Sequence, residues 1–178
     1  TPSEFVRTIR LEQFPNSIWV EIETDENLTG LGEAWRGTAA IETIIHHDIC
    51  PWLIGQDSRN IELISRTLLT PYVGFHSASA EIRAASAIDI ALWDLAGKRH
   101  GIPVYEALGG ASRSSIQVYN TCSGYSFNAS SSAYNSGTSR RMITDKDEMR
   151  GPYDDQVAFT RDAGALAKSL LSEGYKIM

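Results

Sequence analysis

The sequence has 178 residues, 42% of them hydrophobic and 21% charged, with a formal net charge of −6. A chain of this length can bury one hydrophobic core, or one domain and part of another. Its acidic balance argues against nucleic acid as a partner, and no apolar run approaches the roughly 18 residues that a membrane-spanning helix needs. With two isolated cysteines and no visible secretory signal, the composition predicts a cytoplasmic protein that binds neither nucleic acid nor membranes.

The first 36 residues predict a small antiparallel sheet, a meander of three strands. The strands are expected at about residues 5–14, 18–23 and 30–35. The second has the clearest signal, since apolar residues recur with the period of two that is typical of a half-buried strand: Ile18, Val20 and Ile22. The connection between the first two strands is then only about residues 15–17, which predicts a short loop.

Two helices are predicted after the sheet. Thr38 can cap the first helix, which is expected to stop before Pro51 because proline interrupts helical hydrogen bonding. Asp57 or Ser58 can cap the second helix, which is expected to end at Pro71.

The strongest helical pattern runs from about Ser79 to His100. Its apolar stripe has helical spacing, and Gly101 is well placed as the terminator. Asp94 and Lys98 lie one turn apart and are expected to form an outward ion pair. A sheet followed by packed helices is an α+β domain.

The pattern changes again beyond residue 110. A short apolar alternation at residues 116–119 suggests a strand, and residues 123–140 hold seven serines among 18 residues. A last helix is predicted from Asp154 and ends before Gly174, and residues 175–178 resemble the start of another strand. A strand, a helix and the opening of a second strand make an incomplete βαβ unit, whose parallel sheet normally needs more strands.

Residues 84–98, AASAIDIALWDLAGK, continue into IPVYEALGG at 102–110. Together they closely resemble the signature of the mandelate racemase/muconate lactonizing enzyme branch of the enolase superfamily. TGLGE at 29–33 and EGY at 173–175 also match the family. The resemblance implies an α+β capping domain over residues 1–112. It further implies that residues 113–178 are the first strand, an inserted Ser-rich loop, the first helix and the start of the second strand of a TIM-like (β/α) barrel.

Enzymes similar to this chain remove the proton alpha to a carboxylate, and a bound Mg²⁺ stabilises the second negative charge that develops. The family's spacing puts the base lysine one place past Met178, and the Mg²⁺ ligands are likewise expected beyond residue 178. We therefore expect no catalytic residue and no metal ligand in this sequence. Lys176 is three positions before that lysine, where side chains point to the other face of a strand.

The resemblance leaves substrate specificity to the capping domain and the first barrel strand. The candidate substrate-binding residues are Asn16, Trp35, Arg36 and Thr121. Trp35 can close an apolar wall, and Arg36 can bind a carboxylate or hydroxyls. Three of them have a structural alternative: Trp35 as a core residue at a strand end, Arg36 as a solvated side chain, and Thr121 as the cap of the next turn.

The sequence thus favours the N-terminal part of a Mg²⁺-dependent enzyme acting on a small carboxylate, with a sugar-acid dehydratase as the first hypothesis. A racemase, epimerase or cycloisomerase of the same family is the alternative. A stand-alone binding or regulatory module is the alternative from another class. A homo-oligomer is expected.

Overall fold

The computed structural model describes residues 1–12, 14–70, 79–120 and 155–177. The chain divides into two compact units, Thr1–Ala111 and a second that begins at Ser112. Among the described residues, no helix is long and apolar enough to cross a membrane.

The first unit begins with the predicted three-stranded antiparallel sheet. The strands are β1 (Ser3–Ile9), β2 (Ser17–Thr24) and β3 (Thr29–Trp35), in the order β1-β2-β3. The period-two alternation of β2 is confirmed, because Ile18, Val20 and Ile22 are all fully buried. Burying each such side chain contributes about 1.5–3 kcal/mol to folding.

The connection between β1 and β2 is longer than predicted. β1 ends at Ile9 rather than continuing to Phe14, so the loop spans residues 10–16. Two turns shape it: the Phe14 N–H donates to the Leu11 carbonyl and the Ser17 N–H to the Phe14 carbonyl, each at 3.0 Å. Backbone groups that bond within the loop cannot extend the strand ladder. The predicted short loop is therefore wrong.

The first helical segment runs through Pro51 instead of stopping before it. It consists of α1 (Thr38–Thr43), a π-helical stretch at Ile44–Ile49 and α2 (Cys50–Leu53). Thr38 is the first helical residue, and Gly37 occupies the cap position. Pro51 lies in the first turn of α2, where the hydrogen-bond register changes from π to α, so its missing N–H is tolerated.

Helix α3 covers Ile61–Leu69 and is preceded by Asn60 rather than by the predicted cap residues. Asp57 instead uses its carboxylate to accept hydrogen bonds from Arg59, whose backbone N–H lies 3.0 Å from Oδ1. The predicted end at Pro71 lies outside the described residues. Helix α4 covers Ala80–His100 and ends at Gly101 in the left-handed conformation (φ 65°), as predicted.

The core of the first unit lies between one face of the sheet and the helices. Its fully buried large side chains outside β2 are Ile41, Ile45, Leu53, Ile64, Ile88, Leu92 and Leu95. Helix α4 lies so close to β3 that a Cβ at Gly30 would overlap the Ala91 carbonyl oxygen, and one at Gly32 the Ala87 carbonyl oxygen. The two glycines of the TGLGE motif are therefore packing requirements.

The predicted ion pair between Asp94 and Lys98 forms at 2.7 Å, but it does not simply face outward. The Asp94 carboxylate also accepts the Leu31 N–H at 2.8 Å, and the Lys98 ammonium donates to the Thr29 carbonyl at 2.7 Å. β3 is an edge strand, and unpaired backbone groups on an edge favour aggregation. The pair thus covers part of this edge. A short helix, α5 (Val104–Ala107), follows α4.

The described part of the second unit contains helix α6 (Asp155–Ser172). The helix is broken at Asp162 (φ −152°, ψ 78°), whose carboxylate accepts the Ala165 N–H at 2.9 Å and so caps the second half. Leu166 and Leu170 are buried there against Tyr175. Leu171 is exposed.

The strands predicted at residues 116–119 and from 175 onward are not formed in the described residues. Ile116 is 72% exposed, and one hydrogen bond, from the Asn120 N–H to the Ile177 carbonyl at 3.2 Å, joins the two segments. A strand is defined by a ladder of such bonds, and a parallel pair needs burial on both faces. The apolar alternation alone supplies neither the ladder nor the burial.

Candidate functional site

The loop that leads from β3 into α1 has an unusual backbone. Arg36 and Gly37 follow each other in the left-handed region, with φ values of 66° and 74°. Glycine adopts this conformation freely, whereas for arginine it costs about 1 kcal/mol. Such strain persists only where surrounding contacts maintain it, and it concentrates at functional sites.

Two contacts hold the peptide unit that joins Trp35 to Arg36. The Arg36 N–H donates to the Asn16 backbone carbonyl at 2.7 Å, and the Arg83 guanidinium donates to the Trp35 carbonyl oxygen. The peptide is therefore fixed at both ends, by the β1–β2 loop on one side and by the first turn of α4 on the other.

The side chains of this loop form a cationic aromatic surface. The Arg36 guanidinium carbon lies 4.7 Å from the centre of the Trp35 ring, a cation–π contact. Trp35 is 43% exposed, so the alternative of a core tryptophan is wrong. Within the described part of the chain, neither Arg36 nor Arg83 has a carboxylate at ion-pair distance.

Further aromatic residues lie on the same face of the sheet. Trp35 is paired with Ser17 across the β2–β3 ladder, and Trp19 follows two positions along β2. The Trp19 ring meets Phe14 edge to face, with centroids 6.1 Å apart. Exposed rings beside guanidinium donors can stack on the C–H face of a polyol while the donors bind a carboxylate or hydroxyls.

The structure brings together three of the four predicted site residues. Asn16 contributes its backbone carbonyl, and Trp35 and Arg36 form the surface itself. Thr121 lies outside the described residues. Contact of these residues with a substrate stays a prediction.

Arg83 is the residue that the sequence analysis missed. A signal was available, because Arg83, Ala87 and Ala91 recur at intervals of four on one face of α4, and the two alanines lie against Gly32 and Gly30. A helix that packs small residues against a GxG strand brings its preceding turn to the end of that strand. This signal can be interpreted only when the packing of α4 on β3 is known.

A second polar group lies between β1 and the helical segment that begins with α1. Thr8 Oγ1 donates to Glu42 Oε1 at 2.9 Å, so His46 Nε2, also 2.9 Å away, donates to Thr8. The His46 Nδ1 then faces the Cys50 sulfur at 4.0 Å. Burial raises the pKa of the Cys50 thiol, which therefore stays protonated and is a poor nucleophile.

Glu42 is the acceptor in this group. Burial raises the pKa of its carboxyl, but hydrogen bonds from Thr8 and Arg10 outweigh that effect and hold it below the usual value. Glu42 therefore stays ionised as a structural acceptor. Among residues 1–12, 14–70, 79–120 and 155–177, no three His, Cys, Asp or Glu side chains are grouped so as to hold a metal ion.

The comparison with protein families identifies the first unit. The family model described as "Mandelate racemase / muconate lactonizing enzyme, N-terminal domain" matches residues 6–109. The chain belongs to this family. Its sheet followed by helices is the capping domain of the enolase fold, as predicted, and we use that name for Thr1–Ala111.

Curated relatives match over the same region. A D-mannonate dehydratase of Rhizorhabdus wittichii is 37% identical over 113 residues, which are 61% of this chain and 27% of that protein. A D-galactonate dehydratase of Ralstonia pickettii is 38% identical over 112 residues, or 62% of this chain and 29% of that protein. The chain thus spans less than a third of the length of these relatives.

Solved structures support the same family. An enolase protein from Sargasso Sea environmental sequencing is 48% identical, with a TM-score of 0.71 over 96% of this chain and 37% of that one. An enolase from Pantoea ananatis, described with bound D-gluconate and Mg, is 37% identical, with a TM-score of 0.58 over 66% of this chain and 29% of that one.

Proposed function

We propose that this chain is the N-terminal part of a sugar-acid dehydratase, in which the capping domain binds the substrate. In such a reaction the acid loses the proton alpha to its carboxylate and the hydroxyl on the next carbon, which leaves as water. The remaining enol becomes a keto group. The names of the D-mannonate and D-galactonate dehydratases among the relatives support this reaction class.

One observation carries the role of the capping domain: the strained Arg36 that lies over the exposed ring of Trp35. An arginine held in a left-handed conformation at the expense of stability fits a site under functional selection. Its guanidinium offers forked donors for hydroxyls or a carboxylate, and the ring offers an apolar face. A polyhydroxylated acid presents both kinds of surface, which favours this substrate class over a purely apolar acid.

Among the described residues, no three His, Cys, Asp or Glu side chains are grouped so as to hold a metal ion. Mg²⁺ would neutralise the charge that develops on the substrate carboxylate, and its ligands would come from elsewhere in the protein. We assign binding and orientation of the substrate to the described residues, and we expect the base lysine, as the family resemblance implies, beyond residue 178.

The test uses the protein encoded by the complete reading frame. It is incubated with a panel of sugar acids that includes D-mannonate, D-galactonate and D-gluconate, and formation of a keto acid is followed. EDTA should abolish the activity and added Mg²⁺ should restore it. A product that keeps the mass of the substrate would support the racemase, epimerase or cycloisomerase instead.

Absence of turnover of every acid, with Mg²⁺ present and the protein folded, would overturn the proposal in favour of a binding or regulatory module. The homo-oligomeric state and the cytoplasmic location belong to the same proposal. Light scattering and cell fractionation measure them.

A further inference from the structure

The packing of α4 on β3 determines the position of Arg83. Ala91 lies against Gly30 and Ala87 against Gly32, so four residues of the helix correspond to two residues of the strand. Those lengths match, because a helix rises about 1.5 Å and a strand about 3.3 Å per residue. The same step places residue 83 beside the end of β3, where its guanidinium donates to the Trp35 carbonyl.

The Arg36 conformation needs such support. With its left-handed φ, Arg36 would relax to an ordinary conformation if its peptide unit were free to rotate. The Asn16 carbonyl holds the N–H end of that unit and Arg83 holds the carbonyl end. We expect that loss of either contact would free one end and allow the Arg36 side chain to leave the Trp35 ring.

We propose that Arg83 is a positioning residue for substrate binding, which fixes the Trp35–Arg36 peptide unit and thereby presents the Arg36 guanidinium on the Trp35 ring. This inference rests on the proposed function for its effect on substrate, but the positioning itself can be measured without any substrate. Arg83 acts through Arg36 and does not itself touch the acid.

The experiment is a double-mutant cycle in the complete protein, with Arg83→Ala, Arg36→Gly and the double variant. Arg83→Ala should raise KM for the sugar acid about tenfold, with kcat changed much less, because one charge-assisted hydrogen bond is lost in the loop. In the Arg36→Gly background the same change should have less than about a twofold effect, since the group it positions is already absent. Arg83→Lys, which keeps a donor, should recover most of the wild-type KM.

A second readout needs no activity. Hydrogen exchange of the Arg36 amide should be about tenfold faster in Arg83→Ala than in wild type, since the peptide unit is held at one end only. Arg66→Ala is the matched control: Arg66 is an exposed helical arginine paired with Glu62 on α3, and its loss should change neither KM nor this exchange rate. If Arg83→Ala does not fold, Arg83→Lys is measured against Arg83→Gln in the same way.

The outcomes separate the two proposals. An unchanged Arg36 exchange rate in folded Arg83→Ala overturns the positioning role, whatever the activity. A KM effect of equal size in the Arg36→Gly background also overturns it, because Arg83 would then contact the substrate directly. If no sugar acid is turned over, the proposed function fails, while faster exchange still supports the positioning of the loop by Arg83.

Discussion

The capping domain and the second unit differ in how their apolar residues are used. In the capping domain the alternating residues of β2 are fully buried between the sheet and the helices, and each strand has a hydrogen-bonded neighbour. In the described part of the second unit, a similar alternation at residues 116–119 remains exposed. An alternation of apolar residues therefore forms a strand only when neighbouring elements supply a ladder of backbone hydrogen bonds and bury the apolar side chains.

The largest expected effect contrasts a buried with an exposed isoleucine. Ile22→Ala in β2 should lower the free energy of unfolding of the capping domain by about 3–4 kcal/mol, because it leaves a cavity in the core. Ile116→Ala should change stability by less than about 0.5 kcal/mol. Urea unfolding followed by circular dichroism measures both, and a similar loss for the two variants would contradict the contrast.

Glycine-to-alanine substitutions sharpen the comparison. Gly32→Ala forces a Cβ into the Ala87 carbonyl oxygen, so α4 must move away from β3 at an expected cost of about 3 kcal/mol. At Gly164 in α6 the nearest atom to a new Cβ is the Asp162 carboxylate oxygen at 3.6 Å, an ordinary contact. Gly164→Ala should therefore stabilise its helix by about 0.5–1 kcal/mol. Thermal unfolding of the two variants should shift in opposite directions.

The break in α6 gives a smaller effect. Asp162→Ala removes the carboxylate that accepts the Ala165 N–H, and the second half of the helix should lose about 1 kcal/mol. Asp162→Asn keeps an acceptor and serves as the control. Hydrogen exchange of the Ala165 amide should be faster in the alanine variant and close to wild type in the asparagine variant. Equal rates in all three proteins would contradict the assignment of Asp162 as the helix cap.

The pH dependence of the capping domain should include a contribution from Asp57. Hydrogen bonds from Arg59 hold the pKa of this carboxyl well below its ordinary value of 3.8. Because the folded state favours the ionised form, this stabilisation is complete above the unfolded pKa and is lost as the pH falls below it toward the folded pKa. Asp57→Asn should therefore lower Tm at pH 7, with the difference shrinking at pH 3. A constant difference at both pH values would contradict the assignment.

The sequence predicted the capping domain well because its signals are local. The alternation of apolar residues predicted β2, and Gly101 predicted the end of α4. Local signals failed where the outcome depends on hydrogen-bond register or on a distant element. Pro51 is tolerated by a π-helical turn, and Asp94 bonds the edge of β3 in addition to Lys98.

The candidate site was predicted only in part for the same reason. Trp35 and Arg36 were visible as residues at the end of a strand, and the family resemblance directed attention to them. The left-handed backbone of Arg36 and the contact from Arg83 depend on how α4 packs on β3, some 48 residues apart in sequence. No pattern within a single element contains that relation.

The most direct test of the account is Arg36→Gly in the complete protein, measured for both stability and substrate affinity. Glycine accepts the left-handed conformation without strain and removes the guanidinium. The account predicts a Tm equal to or above that of wild type together with about a tenfold rise in KM for the sugar acid. An unchanged KM, with the fold intact, would contradict the assignment of the Trp35–Arg36 surface to substrate binding.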